Sequence, residues 1–228
     1  MKRIYFLHGF MGTGKTHFDQ QTVHFEQDYD VILMDLPGHG TSPNDAAVDY
    51  VDQAVHHVIE HMRRTGPGYL VGLSLGASLA IQVALAEPTL VDGIILTGYT
   101  PSVPAELTDV MVQQYDYFLD IEQHEPLIAA QFAALHGERW QRTMQRVLHQ
   151  MTFRYPTLSA ETLQGLHVPV YILNGTEQAH EVAGAELIKE AYPTAVIDLI
   201  PGAGHTANLD QPKLFNERLE RILIHSNE

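Results

Sequence analysis

A serine and a histidine that could act as nucleophile and base stand in glycine-rich contexts far apart in the chain. Ser74 is the centre of Gly72-Leu73-Ser74-Leu75-Gly76, a G-x-S-x-G pattern that follows the apolar run Tyr69-Leu70-Val71. His205 ends the run Gly202-Ala203-Gly204-His205 near the C-terminus. A serine hydroxyl becomes a good nucleophile when a base removes its proton, so these residues predict nucleophilic catalysis.

The residues around Ser74 predict a sharp turn between a buried strand and a helix. Glycines two positions before and two positions after the serine let strand and helix approach each other closely. The hydroxyl then stands at the carboxyl end of the strand, beside the free N–H groups and partial positive charge of a helix N-terminus. Those groups suit an oxyanion, and the backbone N–H of Leu75 is the first candidate donor.

The loop after the first apolar run supports a different chemistry. Gly9-Phe10-Met11-Gly12-Thr13-Gly14-Lys15-Thr16 matches G-x-x-x-x-G-K-[ST], in which backbone N–H groups cradle phosphates. Asp35 ends the second apolar run and could hold magnesium in such a protein. A P-loop nucleotide kinase is therefore an alternative. It leaves Ser74 and His205 without a role, and the strongly acidic composition is unfavourable for phosphate clamping.

Composition limits the classes of partner and site. The 228 residues carry a net charge of −15, which argues against nucleic acid or an anionic membrane as a partner. The chain has no cysteine, which excludes disulfides, thiolate metal sites and a cysteine nucleophile. No apolar stretch approaches about 18 residues and no signal-peptide core follows Met1, so we expect a cytoplasmic protein. Nothing suggests a metal or an organic cofactor, and the expected partner is a small-molecule substrate.

Apolar runs alternate with helical patterns along most of the chain. Helices are predicted up to about residue 26 and over 46–64, 75–86, 181–191 and 207–223. Strands are predicted at Ile4–Leu7, Val31–Met34, 69–73, Ile94–Leu96, Val168–Leu173 and Ala195–Ile200. Alternation of this kind predicts an α/β fold with a six-stranded, mostly parallel, doubly wound sheet.

Residues 101–165 interrupt this alternation. Pro101 and Pro104 open the segment, and its apolar residues recur at helical spacing, which predicts three or four helices between the fourth and fifth strands. Ligands of such sheets bind beyond the carboxyl ends of the strands, where this insertion would lie. We therefore predict a core of 1–100 and 166–228 and a helical lid of 101–165. The alternative is a helical subdomain with no role in binding.

Four motifs that occur in order along the chain resemble the α/β-hydrolase family. They are His8-Gly9-Phe10-Met11, Asp35-Leu36-Pro37-Gly38-His39-Gly40-Thr41-Ser42, the residues 72–76 and the residues 202–205. The resemblance covers nearly the whole chain apart from the lid, and it implies the α/β-hydrolase fold. It also implies Ser74 as nucleophile, His205 as base, and the N–H of Phe10 as the second oxyanion donor. His8, His39 and Asp35 are expected to shape loops.

The third member of the site departs from the family's pattern. The family usually places an aspartate in Gly-x-x-Asp after the strand assigned here to 168–173, but that position holds Gln178. Glu177 is one residue away and is the predicted acid; Glu181 lies one helical turn further on. The alternatives are a dyad in which the carbonyl of Gln178 orients the imidazole, and a degraded or inactive site.

The predicted reaction is hydrolysis of an ester or thioester of a small, partly apolar substrate through an acyl-enzyme. Within the family, the chain resembles the menaquinone-synthesis enzymes that eliminate pyruvate with the same serine as base. It departs from them at Leu73, where they carry tyrosine, and at Ser78, where they carry arginine. Such a lyase and a non-catalytic binding protein are alternatives. The predicted substrate contacts are Met11, Tyr99 and Trp140.

Overall fold

The computed structural model describes residues 1–225 and contains one six-stranded sheet in which every strand pair is parallel. Its strand order is β2-β1-β3-β4-β5-β6. The strands are β1 (Arg3–Leu7), β2 (Asp30–Met34), β3 (Gly68–Leu73), β4 (Val91–Thr97), β5 (Val170–Ile172) and β6 (Val196–Ile197). The predicted α/β class and the six-stranded parallel sheet are confirmed.

Helices cover both faces of this sheet. They are α1 (Gly14–Phe25), α2 (Tyr50–Thr65), α3 (Leu75–Ala86), α4 (Thr108–Leu119), α5 (Ile121–His124), α6 (Pro126–His136), α7 (Trp140–Phe153), α8 (Ala160–Gln164), α9 (Ala179–Ala191), α10 (Ala207–Asp210) and α11 (Pro212–His225). Alternate residues of a strand point to opposite faces. Thus Tyr5 and Leu7 join a core with α2, α3 and α9, whereas Ile4 and Phe6 join a second core with α1 and α11.

The helices and strands of the structure differ from the predicted ones in where some of them begin and end. The helix predicted over 207–223 is two helices, because Pro212 begins α11 and has no N–H for continuing α10. The helix predicted from residue 46 begins at Tyr50, and the backbone N–H of Ala47 donates to the Gln53 side chain instead. The strands predicted over 168–173 and 195–200 are shortened to β5 and β6.

Residues 101–165, the helical insertion, connect β4 to β5 and contain α4 to α8. Side chains of α7 and the residue before it bond to the loop after β2: Thr143 donates to the Gly38 carbonyl at 3.1 Å, and Arg139 donates to the Ser42 carbonyl at 2.6 Å. A small apolar cluster joins Met11, in the loop after β1, to Ile121, Trp140 and Met144 of the insertion. The insertion therefore packs against the two loops at the carboxyl edge of the sheet.

Among residues 1–225, none of the helices is both long and apolar enough to cross a membrane.

Candidate active site

Ser74 occupies a strained turn between β3 and α3. Its backbone has φ 54° and ψ −112°, a conformation that non-glycine residues rarely adopt. The turn requires close approach of backbones, since a Cβ on Gly76 would lie 1.9 Å from the carbonyl oxygen of Leu7. The N–H of Ser74 donates to the Thr97 carbonyl of β4 at 2.9 Å. The serine is therefore held at the carboxyl edge of the sheet.

His205 contacts a buried carboxylate. Its Nδ1 lies 2.5 Å from Oε1 of Glu181, which is 1% exposed, whereas the imidazole is about half exposed. A carboxylate at Nδ1 fixes the orientation and tautomer of the ring and stabilises the imidazolium that forms when Nε2 takes a proton. Ser74, His205 and Glu181 line the same cavity.

The carboxylate that contacts His205 is Glu181, whereas the sequence predicted Glu177 as the acid. Glu177 is exposed, and its backbone N–H donates to the Ala203 carbonyl at 3.0 Å. Gln178 precedes α9 and lines the cavity, but Nδ1 of His205 bonds to Glu181, in the first turn of α9. The signal in the sequence was an acidic residue three positions after Gln178, which lies on the same helical face.

Asn174 fixes the start of α9 to the end of β4. Its buried Nδ2 donates to the carbonyls of Tyr99 at 2.8 Å and Glu181 at 2.9 Å, and its Oδ1 accepts from the Tyr99 N–H at 3.1 Å. All these groups are buried, so the bonds hold the backbone of Glu181 in one position. Nothing in the motifs of the sequence pointed to Asn174.

Phe10 and Leu75, the predicted oxyanion donors, line the cavity together with Ser74. Leu75 begins α3, where backbone N–H groups lack partners within the helix. The loop that carries Phe10 rests on His8, which is fully buried. Nδ1–H of His8 donates to the Gly9 carbonyl at 2.8 Å, and Nε2 accepts from the Leu36 N–H at 3.0 Å. Burial lowers the pKa of His8 to about 3, so the neutral ring shapes the loop, as predicted.

Two further imidazoles hold the loop after β1. Nδ1 of His17 accepts from the Gly9 N–H at 3.0 Å, and burial lowers its pKa to about 4. His136 of α6 bridges two loops: Nε2–H donates to the Met11 carbonyl at 3.1 Å and Nδ1 accepts from the Gly40 N–H at 2.9 Å. Burial lowers the pKa of His136 as well. The bond from His136 to the Met11 carbonyl stabilises a backbone with φ 48°, a left-handed conformation that is unfavourable for residues other than glycine.

The P-loop pattern at residues 9–16 does not form a phosphate site. The carboxylate of Asp35 accepts from the N–H of Gly14 at 2.9 Å, at the start of α1 where a phosphate would bind. Its other oxygen accepts from the N–H of Thr41 at 2.8 Å. The Thr16 side chain accepts from the N–H of Thr13 at 2.8 Å in a capping box. Asp35 therefore shapes the loop and occupies the place at the start of α1 where the nucleotide-kinase alternative would bind phosphate.

A cavity of about 590 Å³ extends from Ser74 beneath the helical insertion. Apolar side chains of the insertion, including Val110, Met111 and Leu148, form much of its wall. Met11, Tyr99 and Trp140, the predicted substrate contacts, lie outside the lining. Met11 and Trp140 pack in the cluster that attaches the insertion, and Tyr99 is buried in the larger core. The structure thus places the three residues in packed clusters beside the cavity, since apolar residues of a core and of a cavity cannot be told apart by type.

No group of three or more His, Asp or Glu side chains among residues 1–225 is arranged to hold a metal ion.

The sequence and the fold of the chain are similar to those of known proteins. The model of the alpha/beta hydrolase family matches residues 4–218. The putative 2-succinyl-6-hydroxy-2,4-cyclohexadiene-1-carboxylate synthase of Haemophilus influenzae is 33% identical, and the match covers 98% of each chain. The pimeloyl-[acyl-carrier protein] methyl ester esterase of Nitrosomonas europaea is 27% identical over 80% of each chain. The crystal structure of NosK from Streptomyces actuosus has a TM-score of 0.92 and 33% identity, with 100% of this chain and 99% of that chain covered.

Proposed function

The chain belongs to the alpha/beta hydrolase family and is an enzyme of that family, and on this basis we propose that it hydrolyses an ester or thioester through an acyl-enzyme on Ser74. The observation that carries this proposal is the 2.5 Å contact between His205 Nδ1 and the buried Glu181, in the cavity that Ser74 lines. The substrate is small and partly apolar, in keeping with the apolar wall of the cavity.

His205 acts as the general base in the proposed mechanism. Its Nε2 takes the proton of the Ser74 hydroxyl as the oxygen attacks the carbonyl carbon, and the Glu181 carboxylate stabilises the resulting imidazolium. The backbone N–H groups of Leu75 and Phe10 donate to the oxyanion. The imidazolium then gives its proton to the departing alcohol or thiol. Water repeats the sequence on the acyl-enzyme and releases the acid.

The helical insertion acts as a lid in this proposal. It contributes the apolar wall that faces Ser74, and His136 connects it to the loop of Phe10. An apolar wall on this side reduces the access of water to the developing charge, which strengthens the hydrogen bonds of the oxyanion donors.

Covalent labelling tests the assignment. A fluorophosphonate probe is expected to label the native protein on Ser74, and p-nitrophenyl butyrate is expected to be hydrolysed. Ser74→Ala should lose both the labelling and the hydrolysis. Labelling of another residue, or ester hydrolysis that survives in Ser74→Ala, would contradict the proposal. An unlabelled protein that neither hydrolyses this ester nor catalyses the lyase reaction below would favour the non-catalytic alternative.

A lyase is the second candidate, because the chain is 33% identical to the Haemophilus influenzae synthase over 98% of both proteins. In that reaction Ser74 would remove a proton from the substrate and form no acyl-enzyme. To test this candidate, the protein is incubated with the precursor of 2-succinyl-6-hydroxy-2,4-cyclohexadiene-1-carboxylate. The release of pyruvate is then measured with lactate dehydrogenase. Pyruvate release without hydrolysis of any ester would favour the lyase over the hydrolase.

A further inference from the structure

Ser78 is a serine of the cavity lining, one helical turn after the nucleophile. Its backbone N–H donates to the Ser74 carbonyl at 3.0 Å, so the two serines share one face of α3. The residue is 1% exposed and is one of those that line the cavity, and its buried Oγ has no hydrogen-bond partner of good geometry among residues 1–225. A buried hydroxyl without a partner is unfavourable unless something else supplies the bond.

The neighbour of Ser78 is a second neutral hydroxyl. Tyr155, which follows α7, donates its phenolic proton to the Thr100 carbonyl at 2.7 Å and lies beside Ser78. Burial raises the pKa of Tyr155 to about 12, so the phenol stays protonated at neutral pH. Since its proton is committed to Thr100, the Tyr155 oxygen can accept one hydrogen bond, and the Ser78 hydroxyl beside it can donate that bond or turn to a bound substrate.

Cationic side chains are missing from this part of the cavity. Among the described residues that line it there is no lysine or arginine, and Glu181 contributes a buried carboxylate. The imidazoles of His180 and His205 also face the cavity, but His205 is paired with that same carboxylate, and His180 Nε2 lies 3.8 Å from it. A substrate carboxylate would lose its hydration here without gaining a permanent positive partner.

From these observations we infer that the cavity selects an uncharged acyl group with one polar atom that hydrogen-bonds to Ser78. This inference rests on the proposed function, because it identifies the substrate class of that same site. Side chains four apart on a helix have Cβ atoms about 5–6 Å apart. The polar atom therefore lies a few bonds beyond the reacting carbonyl, and the rest of the acyl group is apolar.

Three esters of similar length test this selectivity in turnover. They are p-nitrophenyl pentanoate, p-nitrophenyl 4-oxopentanoate and mono-p-nitrophenyl succinate, which carry an apolar end, a neutral acceptor and a carboxylate. The native enzyme should show kcat/KM about tenfold higher for the oxopentanoate than for the pentanoate, as one neutral hydrogen bond allows. The succinate should be about 100-fold poorer than the oxopentanoate. A succinate that matches the oxopentanoate would overturn the inference.

Ser78→Ala should reduce the oxopentanoate-to-pentanoate ratio about tenfold, whereas Ser78→Thr, which keeps the hydroxyl, should preserve it. Ser42→Ala is the matched control: Ser42 is also buried and its Oγ also has no hydrogen-bond partner in the described part of the chain, but it lies outside the cavity lining. The ratio should not change in that variant. A ratio that is unchanged in Ser78→Ala would overturn the inference.

Binding to Ser74→Ala separates this inference from the proposed function. Calorimetry with the p-nitroanilides of the same three acids measures selection without chemistry. The oxopentanoyl compound should bind about tenfold more tightly than the pentanoyl compound, and the succinyl compound should bind most weakly. This order, found when the native protein hydrolyses none of the esters, would support the inference and reject the hydrolase. A reversed order would reject the inference whatever the turnover.

Discussion

Glu181 reaches the His205 imidazole from the third residue of α9, with Oε1 at 2.5 Å from Nδ1. The family's usual acid position, three residues earlier, holds Gln178. A helical side chain leans toward the helix N-terminus and covers the turn before it, so residue 181 faces the place of residue 178. Glutamate also has one more methylene than aspartate. Together these features let a glutamate in the first turn of α9 contact His205 where the family usually has an aspartate.

Replacement of this carboxylate should remove most of the catalysis. Glu181→Gln is expected to lower kcat for p-nitrophenyl butyrate by up to about 10⁴-fold, because the amide no longer stabilises the imidazolium. Glu177→Gln is the matched control and should leave kcat within about twofold, since Glu177 is exposed. Steady-state kinetics of both variants checks the assignment. Equal losses in the two variants would contradict it.

The strained turn at Ser74 predicts an unusual order of stabilities. Ser74→Gly should relieve the strain at φ 54° and ψ −112°, whereas Ser74→Ala retains it. We expect the glycine variant to have a free energy of unfolding about 1 kcal/mol higher than that of the alanine variant, with no activity in either. Urea unfolding of the two variants measures the difference. At an unstrained position glycine would be the less stable of the two, and that order would contradict a strained turn.

The buried histidines predict loss of stability in acid. The folded-state pKa values of His8 and His17 are about 3 and 4, below the unfolded value of 6.5. Between those values the unfolded chain binds more protons, so the free energy of unfolding falls as the pH drops below about 6.5. The slope is up to about 1.4 kcal/mol per pH unit for each histidine.

Urea unfolding at pH 7 and at pH 5 measures this dependence. His17→Gln keeps an acceptor for the Gly9 N–H but cannot take up the proton, so it should reduce the pH dependence. The exposed His167 offers a control, and His167→Gln should leave the dependence as it is. A native protein that is equally stable at both pH values would show that the buried imidazoles are protonated in the folded state.

His136 is expected to act on catalysis as a positioning residue. His136→Leu removes the bonds to Met11 and Gly40, so the loop of Phe10 should lose its fixed orientation. Because that loop donates to the oxyanion, kcat should fall by about 10-fold to 100-fold while KM changes little. The exposed His149 of α7 allows the control His149→Gln, which should leave kcat unaltered. A change confined to thermal stability would mean that His136 holds the insertion only.

The sequence predicted those features that depend on local pattern. The strands were recognisable because each contains an apolar run, which in β3 is buried on both faces, and Ser74 and His205 because glycines mark their turns. Glu181 could not be assigned, since its contact with His205 depends on where α9 begins. The wall of the cavity could not be assigned either, because Met11 and Trp140 have the same apolar character as the residues that line it.

The most direct test of the mechanism is mass spectrometry of the enzyme quenched in acid during turnover of p-nitrophenyl butyrate. The account predicts a butyryl group on the peptide that contains Ser74. Its accumulation should be slower in Glu181→Gln and undetectable in Ser74→Ala. Butyrate release with no acyl group on Ser74, or with the acyl group on a different residue, would contradict the account.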